Sequence, residues 1–420
     1  MSHAALPTAL GSGARPRWAV VSSVGVAQIL AWGSSYYLTA VLAGPVSADT
    51  GWKLSWIVGA LSIGLLVSGL VSPHVGRLID RRGGRPVLAA SACLLSLGLL
   101  GLGLAPTLPL FVAAWVVIGL GMGCGLYDPA FSTLGRLYGE TARGAITQVT
   151  LFGGLASTVC WPLSAFLVDN VGWRGTCLTY AGIHVAVVLP LYLWGLPREE
   201  QLKARHSAVA GTPLPGHVRP DQRVAFVLLA AGFTLAAVIM TVIAVHLLTL
   251  LQSRGIALAA AVGFGALLGP SQVGARVLEM LLGRRTHPVW SLLASAVLVA
   301  VGLAMLVGAP GVAAAGIVLY GAGSGIRSIA RGTVPMALFG REGYAVLMGR
   351  IAMPTLIAQA ASPSIGAWLL NGFGTTATLG VLCGAAVVNI GLVLALLPIA
   401  LRSGQPNHRL APQICPREPD

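Results

Sequence analysis

Apolar windows poor in charge recur along the whole chain, near 18–42, 55–75, 86–105, 109–135, 145–168, 174–196, 223–250, 256–282, 286–309, 311–338, 345–369 and 374–401. A helix needs about 20 such residues to cross the hydrocarbon layer of a bilayer. The pattern therefore predicts an all-α membrane protein of about twelve transmembrane helices. The longest polar break, PREEQLKARHSAVAGTPLPGHVRPDQ at 197–222, is rich in Pro, charge and small residues, which is linker composition. It divides the chain into a first half at 18–196 and a second at 223–401, with tails at 1–17 and 402–420. The first apolar run, from Trp18, is long enough to span and follows no evident cleavable signal, so it is expected to stay as the first helix.

Composition agrees with a lipid-facing chain. Of 420 residues 56% are hydrophobic and 9% charged, against roughly a quarter charged in soluble domains. The net charge of +14 does not indicate nucleic acid, because the basic residues sit between apolar spans and not in a polar, aromatic face. It reads instead as topology. Arg15, Arg17, Arg77, Arg81, Arg82, Arg85, Arg136 and Arg143 fall on the same side as the linker and as Arg284, Arg285, Arg341 and Arg402, while the opposite loops hold only Lys53, Arg174 and Arg254. The positive-inside rule then puts both termini and the linker in the cytoplasm, with the chain in the cell's inner (plasma) membrane. The six cysteines are scattered, without metal spacing, and are expected to be packing residues.

The two halves resemble each other. At an offset of 199, Arg77 superposes on Arg276 and Asp80 on Glu279, both basic-x-x-acidic. Alternating glycines Gly119, Gly121, Gly123 and Gly125 match Gly321, Gly323 and Gly325, and an offset of 201 matches Pro162 with Pro363 and Asn170 with Asn371. A duplicated six-helix unit is the simplest reading, and transporters are commonly built from such repeats, with the solute at their interface.

The loop GRLIDRRGGR, from Gly76 to Arg85, resembles the signature between the second and third helices of the major facilitator superfamily, G-x-L-x-D-R-x-G-R-R, at Gly76, Leu78, Asp80, Arg81, Gly83 and Arg85. With two sets of six spans, a central loop and Gly172-Trp173-Arg174, the resemblance covers the whole chain. It implies a cytoplasmic gate formed by Gly76, Asp80, Arg81 and Arg85, with Asp80 facing the second half and Arg276 and Glu279 as the repeat's gate pair. Two positions depart from the pattern of proton-driven drug exporters: Trp115 stands where they carry an arginine, and Trp161-Pro162 replaces their Gly-Pro pair. The long first loop ending ADTGWKLSW is more similar to the monocarboxylate or oxalate porters.

Charges deep in a membrane span are costly and mark function by default. Arg327 lies near the middle of the tenth span, with Arg331 one turn away on the same face. Asp128 lies at similar depth in the fourth, followed by Pro129, which can free a backbone carbonyl or kink the helix. The resemblance implies that these helices line a central cavity, so Asp128 and Arg327 are expected to face it from opposite halves. Arg327 suits an anionic group of a solute; Asp128 suits a proton or a pairing with Arg327, and a purely structural ion pair is the alternative. Gln28, Trp32, Ser34, Tyr36 and Tyr37, with Thr234, Thr241 and His246, are candidates for the rest of the pocket.

The expected function is secondary active transport of a small, anionic organic solute by alternating access, proton-coupled, in a monomer within the lipid bilayer. No cofactor, metal or nucleic-acid partner is expected, and no GxxxxGK[ST] loop for ATP occurs. The alternatives are efflux of a toxic, drug-like or metalloid compound, the last through Cys124 and Cys160, or a receptor or membrane enzyme. An enzyme should show a cluster of histidines, acids or metal ligands at one face, which is not evident.

Overall fold

A computed structural model describes residues 15–198, 220–283, 286–308 and 310–403, and the regular elements among them are helical. The linker at 199–219 and residues 1–14 and 404–420 of the tails lie outside the described residues, as do Arg284 and Arg285. The first half comprises α1 (Arg17–Gly33), α2 (Leu38–Thr50), α3 (Leu54–Arg82), α4 (Gly84–Leu104), α5 (Leu108–Gly125), α6 (Tyr127–Tyr138), α7 (Ala142–Gly154), α8 (Ala156–Ile183) and α9 (Leu189–Gly195). The second comprises α10 (Arg223–Gln252), α11 (Leu258–Ala266), α12 (Leu268–Leu282), α13 (Pro288–Val307), α14 (Ala313–Phe339) and α15 (Tyr344–Ser403).

Nine stretches of the described residues are long and apolar enough to cross a membrane. Two of them, Ala142–Gly195 and Tyr344–Arg402, run to 54 and 59 residues, well beyond one crossing. Each is broken by a glycine in the left-handed region, Gly172 at φ 69° and Gly374 at φ 78°. Only a residue without Cβ takes that conformation at no steric cost. The two breaks follow Asn170 and Asn371, which correspond in the repeat. Ala313–Phe339, which carries Arg327 and Arg331, stands outside the nine but is 27 residues long.

The glycine ladders explain why corresponding helices meet alike in the two halves. A Cβ on Gly119 of α5 would lie 2.4 Å from the Gly64 carbonyl of α3, and one on Gly325 of α14 would lie 2.4 Å from the Gln272 carbonyl of α12. Backbones come this close only where small residues face each other, the way helices associate in lipid. Outward side chains such as Trp194, Leu281 and Val387 are exposed, as a lipid-facing surface requires.

The halves close on each other at the end that carries the arginine-rich loops. A Cβ on Gly76 would lie 2.3 Å from the Ala345 carbonyl of α15, and one on Gly349 would lie 2.3 Å from the Ser72 carbonyl of α3. Tyr344 and Met348 of α15 are buried in a first-half cluster with Phe131 and Ile146.

Candidate functional site

Two helix breaks shape the centre of the first half. Pro129 has no N–H, so the carbonyl four residues before it, that of Gly125, loses its helical donor. The helix breaks there: α5 ends at Gly125, Leu126 is extended, and Pro129 sits in the first turn of α6, where a missing donor costs nothing. Gln28 of α1 supplies the lost bond, its Nε2 donating to the Gly125 carbonyl at 2.6 Å, and its Oε1 accepts from Trp32 Nε1 at 3.2 Å. Gln28 is therefore committed to the scaffold.

The second break lies between α1 and α2, at Ser34–Tyr37. The Ser34 hydroxyl and the buried His184 Nε2 are 2.7 Å apart, pinning the turn to a five-residue π-helical stretch, His184–Val188. The turn gathers rings from three elements. Trp32 lies 5.6 Å from Tyr36 and 5.0 Å from Tyr127, Tyr36 lies 5.4 Å from Tyr37, and Tyr37 lies 6.0 Å from Trp161, all between centroids. Trp32, Tyr36, Tyr37 and Tyr127 are each only half-buried and Trp161 is exposed, so the cluster keeps an uncovered side.

Facing this wall are the arginines of the second half. Arg331 grips Asp128 with both ends of its fork, Nε to Oδ1 and Nη2 to Oδ2, each at 2.8 Å. The acid sits in the first turn of α6, where the helix dipole favours negative charge. Arg327 is 8% exposed, and its Nη2 donates to the Met240 thioether at 2.7 Å, a weak acceptor. No carboxylate among the described residues bonds to Arg327; the charged groups around it are Arg331 and Arg276, with Tyr320 and Tyr36 alongside. Arg276 is 5% exposed and donates to neutral oxygens, Ser328 Oγ at 2.9 Å and, across the interface, the Thr150 carbonyl at 3.1 Å. Of these three guanidinium groups, Arg331 alone holds a carboxylate among the described residues.

Several expectations need correction. The partner of Asp128 is Arg331, one turn from Arg327, because the fork of Arg331 reaches both carboxylate oxygens. Arg276 does not pair with Glu279. Gly154 of α7 leaves room for its guanidinium, since a Cβ there would lie 1.8 Å from Nη1, and the side chain extends inward. Glu279 instead lies 3.5 Å from Arg143 of α7 and accepts from Ser291 Oγ at 2.5 Å. Asp80 is paired within its own half: it lies 3.8 Å from Arg136, whose Nη1 also donates to the Asp80 carbonyl at 2.7 Å. Of the loop, Gly76 touches the second half, Arg81 is exposed beside Asp80, and Arg85 donates to the Leu193 carbonyl.

His246 is tied to the Pro363 carbonyl at 3.0 Å and lies against Gly366, within its own half. Thr234 meets Thr355, and Thr241 lies beside Tyr36. The sequence reading missed Tyr127, Tyr320, Met240, His184 and Gln359, the last beside Tyr36. Tyr127 had one signal, its place beside Asp128 and Pro129; the others occur in apolar runs that look like ordinary lipid-facing helix.

Two related helical halves, closed at one end and cation-rich where they meet, define a multi-pass helical membrane protein. The chain belongs to the Major Facilitator Superfamily, whose family model matches residues 24–290. Among curated proteins it is similar to monocarboxylate transporter 11 of Mus musculus, 31% identical over 156 residues, which are 36% of this chain and 33% of that protein. It is also similar to the 3-(3-hydroxy-phenyl)propionate transporter of Escherichia coli, 26% identical over 243 residues, 57% of this chain and 58% of that one. The match spans about a third of the length of the first curated relatives, 34% in a 38 kDa protein of Thermoproteus tenax and 33% in the mouse transporter. Among solved structures, the proton:xylose symporter XylE bound to 6-bromo-6-deoxy-D-glucose aligns with a TM-score of 0.72 at 14% identity, over 91% of this chain and 96% of that one. The human organic anion transporter MFSD10 aligns at 0.71 and 16% identity, over 90% and 100%. At these identities the likeness is one of fold.

Proposed function

We propose that the protein is a secondary active transporter that carries a small organic anion by alternating access, with proton coupling. In this reading the chain crosses the cell's inner membrane twelve times as a monomer, with halves at 18–196 and 223–401 and both termini and the linker in the cytoplasm. The observation that carries it is Arg327: a residue only 8% exposed, with a thioether as the acceptor of its guanidinium and two further arginines beside it. A charge held in such a place needs a counter-ion, and with Asp128 already gripped by Arg331 the anion that completes the site comes from outside. The monocarboxylate and arylpropionate transporters among its relatives carry cargo of that charge.

Asp128 and Arg331 come from opposite halves, so the pair closes the path toward the arginine-rich end and must part when that end opens. Mutual neutralisation in one state and separation in the other gives Asp128 a reason to take up a proton during the cycle. The test is uptake of carbon-14-labelled lactate, benzoate and 3-phenylpropionate into proteoliposomes, with and without an inward proton gradient. At least one of these anions accumulates under the gradient, and Arg327→Ala reduces its uptake more than tenfold. Uptake of none of them, or full uptake by Arg327→Ala, contradicts the reading.

A further inference from the structure

The site is chemically lopsided. Its first-half wall is made of rings, Trp32, Tyr36, Tyr37 and Tyr127, whose centroids stand 5.0 to 6.2 Å from at least one neighbour, with Trp161 at the margin. Its second-half wall is guanidinium. Tyr36 neighbours Arg327, and Tyr37 and Tyr127 neighbour Arg276, so the two walls lie next to each other. The arginines do not use the rings as partners: the cation–ring contacts among the described residues are Arg17 with Tyr138 and Arg174 with Trp173, both elsewhere. Each wall thus lacks the complement that the other does not supply.

We propose that the cargo is an aromatic carboxylate, held with its carboxylate on Arg327 and its ring among Trp32, Tyr37 and Tyr127. The inference rests on the organic-anion reading above and narrows it. A carboxylate accepts the planar, two-pronged donation of a guanidinium, which the Met240 sulfur does not exploit. An aromatic ring offers its edge and face to rings set at tilted and perpendicular angles, an arrangement that favours another ring over an alkyl chain of equal area. The tilted and near-perpendicular settings already present, 52° for Trp32 against Tyr127 and 88° for Tyr37 against Trp161, are of that kind. The acid alone engages one half and the ring alone engages the other. Only a molecule with both bridges the halves, so recognition and the closing of the site are the same event.

The test is competition against carbon-14-labelled 3-phenylpropionate on purified protein, with hexanoate, 3-cyclohexylpropionate and 3-phenylpropionamide as competitors. The aromatic acid binds at least fivefold more tightly than hexanoate or the saturated-ring acid. The uncharged amide competes more than tenfold less well than the acid. Trp161→Leu, at an exposed position, and Tyr37→Leu shrink the preference for the aromatic over the aliphatic acids to below twofold, whereas Arg327→Gln weakens all three acids together and keeps their ratio. Equal competition by hexanoate, or a ratio untouched by both ring substitutions in protein that keeps its melting temperature, overturns the aromatic assignment and leaves the anion reading standing. An amide that competes as well as the acid, or no binding of any carboxylate, overturns the anion reading itself.

Discussion

The acid of the loop repeat behaves differently in the two halves. Asp80 stays with Arg136 of its own half, while its counterpart Glu279 reaches Arg143 across the interface. The arginine three residues earlier differs as well: Arg77 is exposed, and Arg276 is 5% exposed and bonded to the Thr150 carbonyl of the first half. Duplication preserved the helices and the glycine contacts between them, and the polar side chains diverged. The first half contributes rings and a gripped acid to the centre, and the second contributes three guanidinium groups.

The largest expected effect comes from the ion pair that joins these two contributions. Removing one partner of a buried pair costs about 3–5 kcal/mol, so Asp128→Ala should lower the melting temperature of the purified protein by many degrees and abolish uptake. Exchanging the charges, Asp128→Arg with Arg331→Asp, should recover most of the stability. Recovery is incomplete because an arginine in the first turn of α6 opposes the helix dipole, by about 0.3–1 kcal/mol. Stability unchanged by Asp128→Ala would show that the halves are not held there.

A smaller effect separates Glu279 from Asp80. Thr147 shares the face of α7 that carries Arg143 and Thr150, toward α12. With a cysteine at Thr147, Glu279→Gln should raise its alkylation rate several-fold by loosening the cross-half contact, and Asp80→Asn should change it less than twofold. Equal effects would erase the distinction between the halves.

The smallest effect concerns His287, which lies just before α13 and whose Nδ1 accepts from the Val289 N–H. Burial, and then the nearby Arg143, hold its pKa below the usual histidine value. The folded state thus binds a proton less readily than the unfolded one, and the cap's contribution is present above about pH 6.5 and lost as the pH falls below it. His287→Asn, which caps without titrating, should flatten part of the fall in melting temperature between pH 7 and pH 5. A pH profile identical to that of the unmodified chain would remove His287 as a cause.

The helical membrane fold was legible because lipid imposes a length and an apolarity on every crossing, and both are local properties of sequence. The repeat was legible at Pro162 with Pro363 and Asn170 with Asn371, while the turns that follow at Gly172 and Gly374 emerged from the structure, where a positive φ needs a residue without Cβ. Side-chain partners were less so. Arg327 and Arg331 lie on one helix face, and sequence could not tell which of them Asp128 would meet; a turn of helix decides it. Arg276 was placed at the gate by its match to Arg77, yet the space that admits it to the centre comes from Gly154 on another helix. Gln28 looked like a pocket residue because the carbonyl it serves, at Gly125, is orphaned by a proline 101 positions away in sequence.

The central claim is that Arg327, and not its neighbour Arg331, receives the cargo's negative charge. It is tested most directly by the concentration dependence of 3-phenylpropionate uptake in Arg327→Gln and in the exchanged pair Asp128→Arg with Arg331→Asp. A charge-assisted hydrogen bond contributes about 1.5–3 kcal/mol, so Arg327→Gln should raise the KM by roughly ten- to a hundredfold, and the exchanged pair should keep a KM within about threefold of the original. A KM unchanged by Arg327→Gln, with the loss falling on the exchanged pair instead, would contradict the claim.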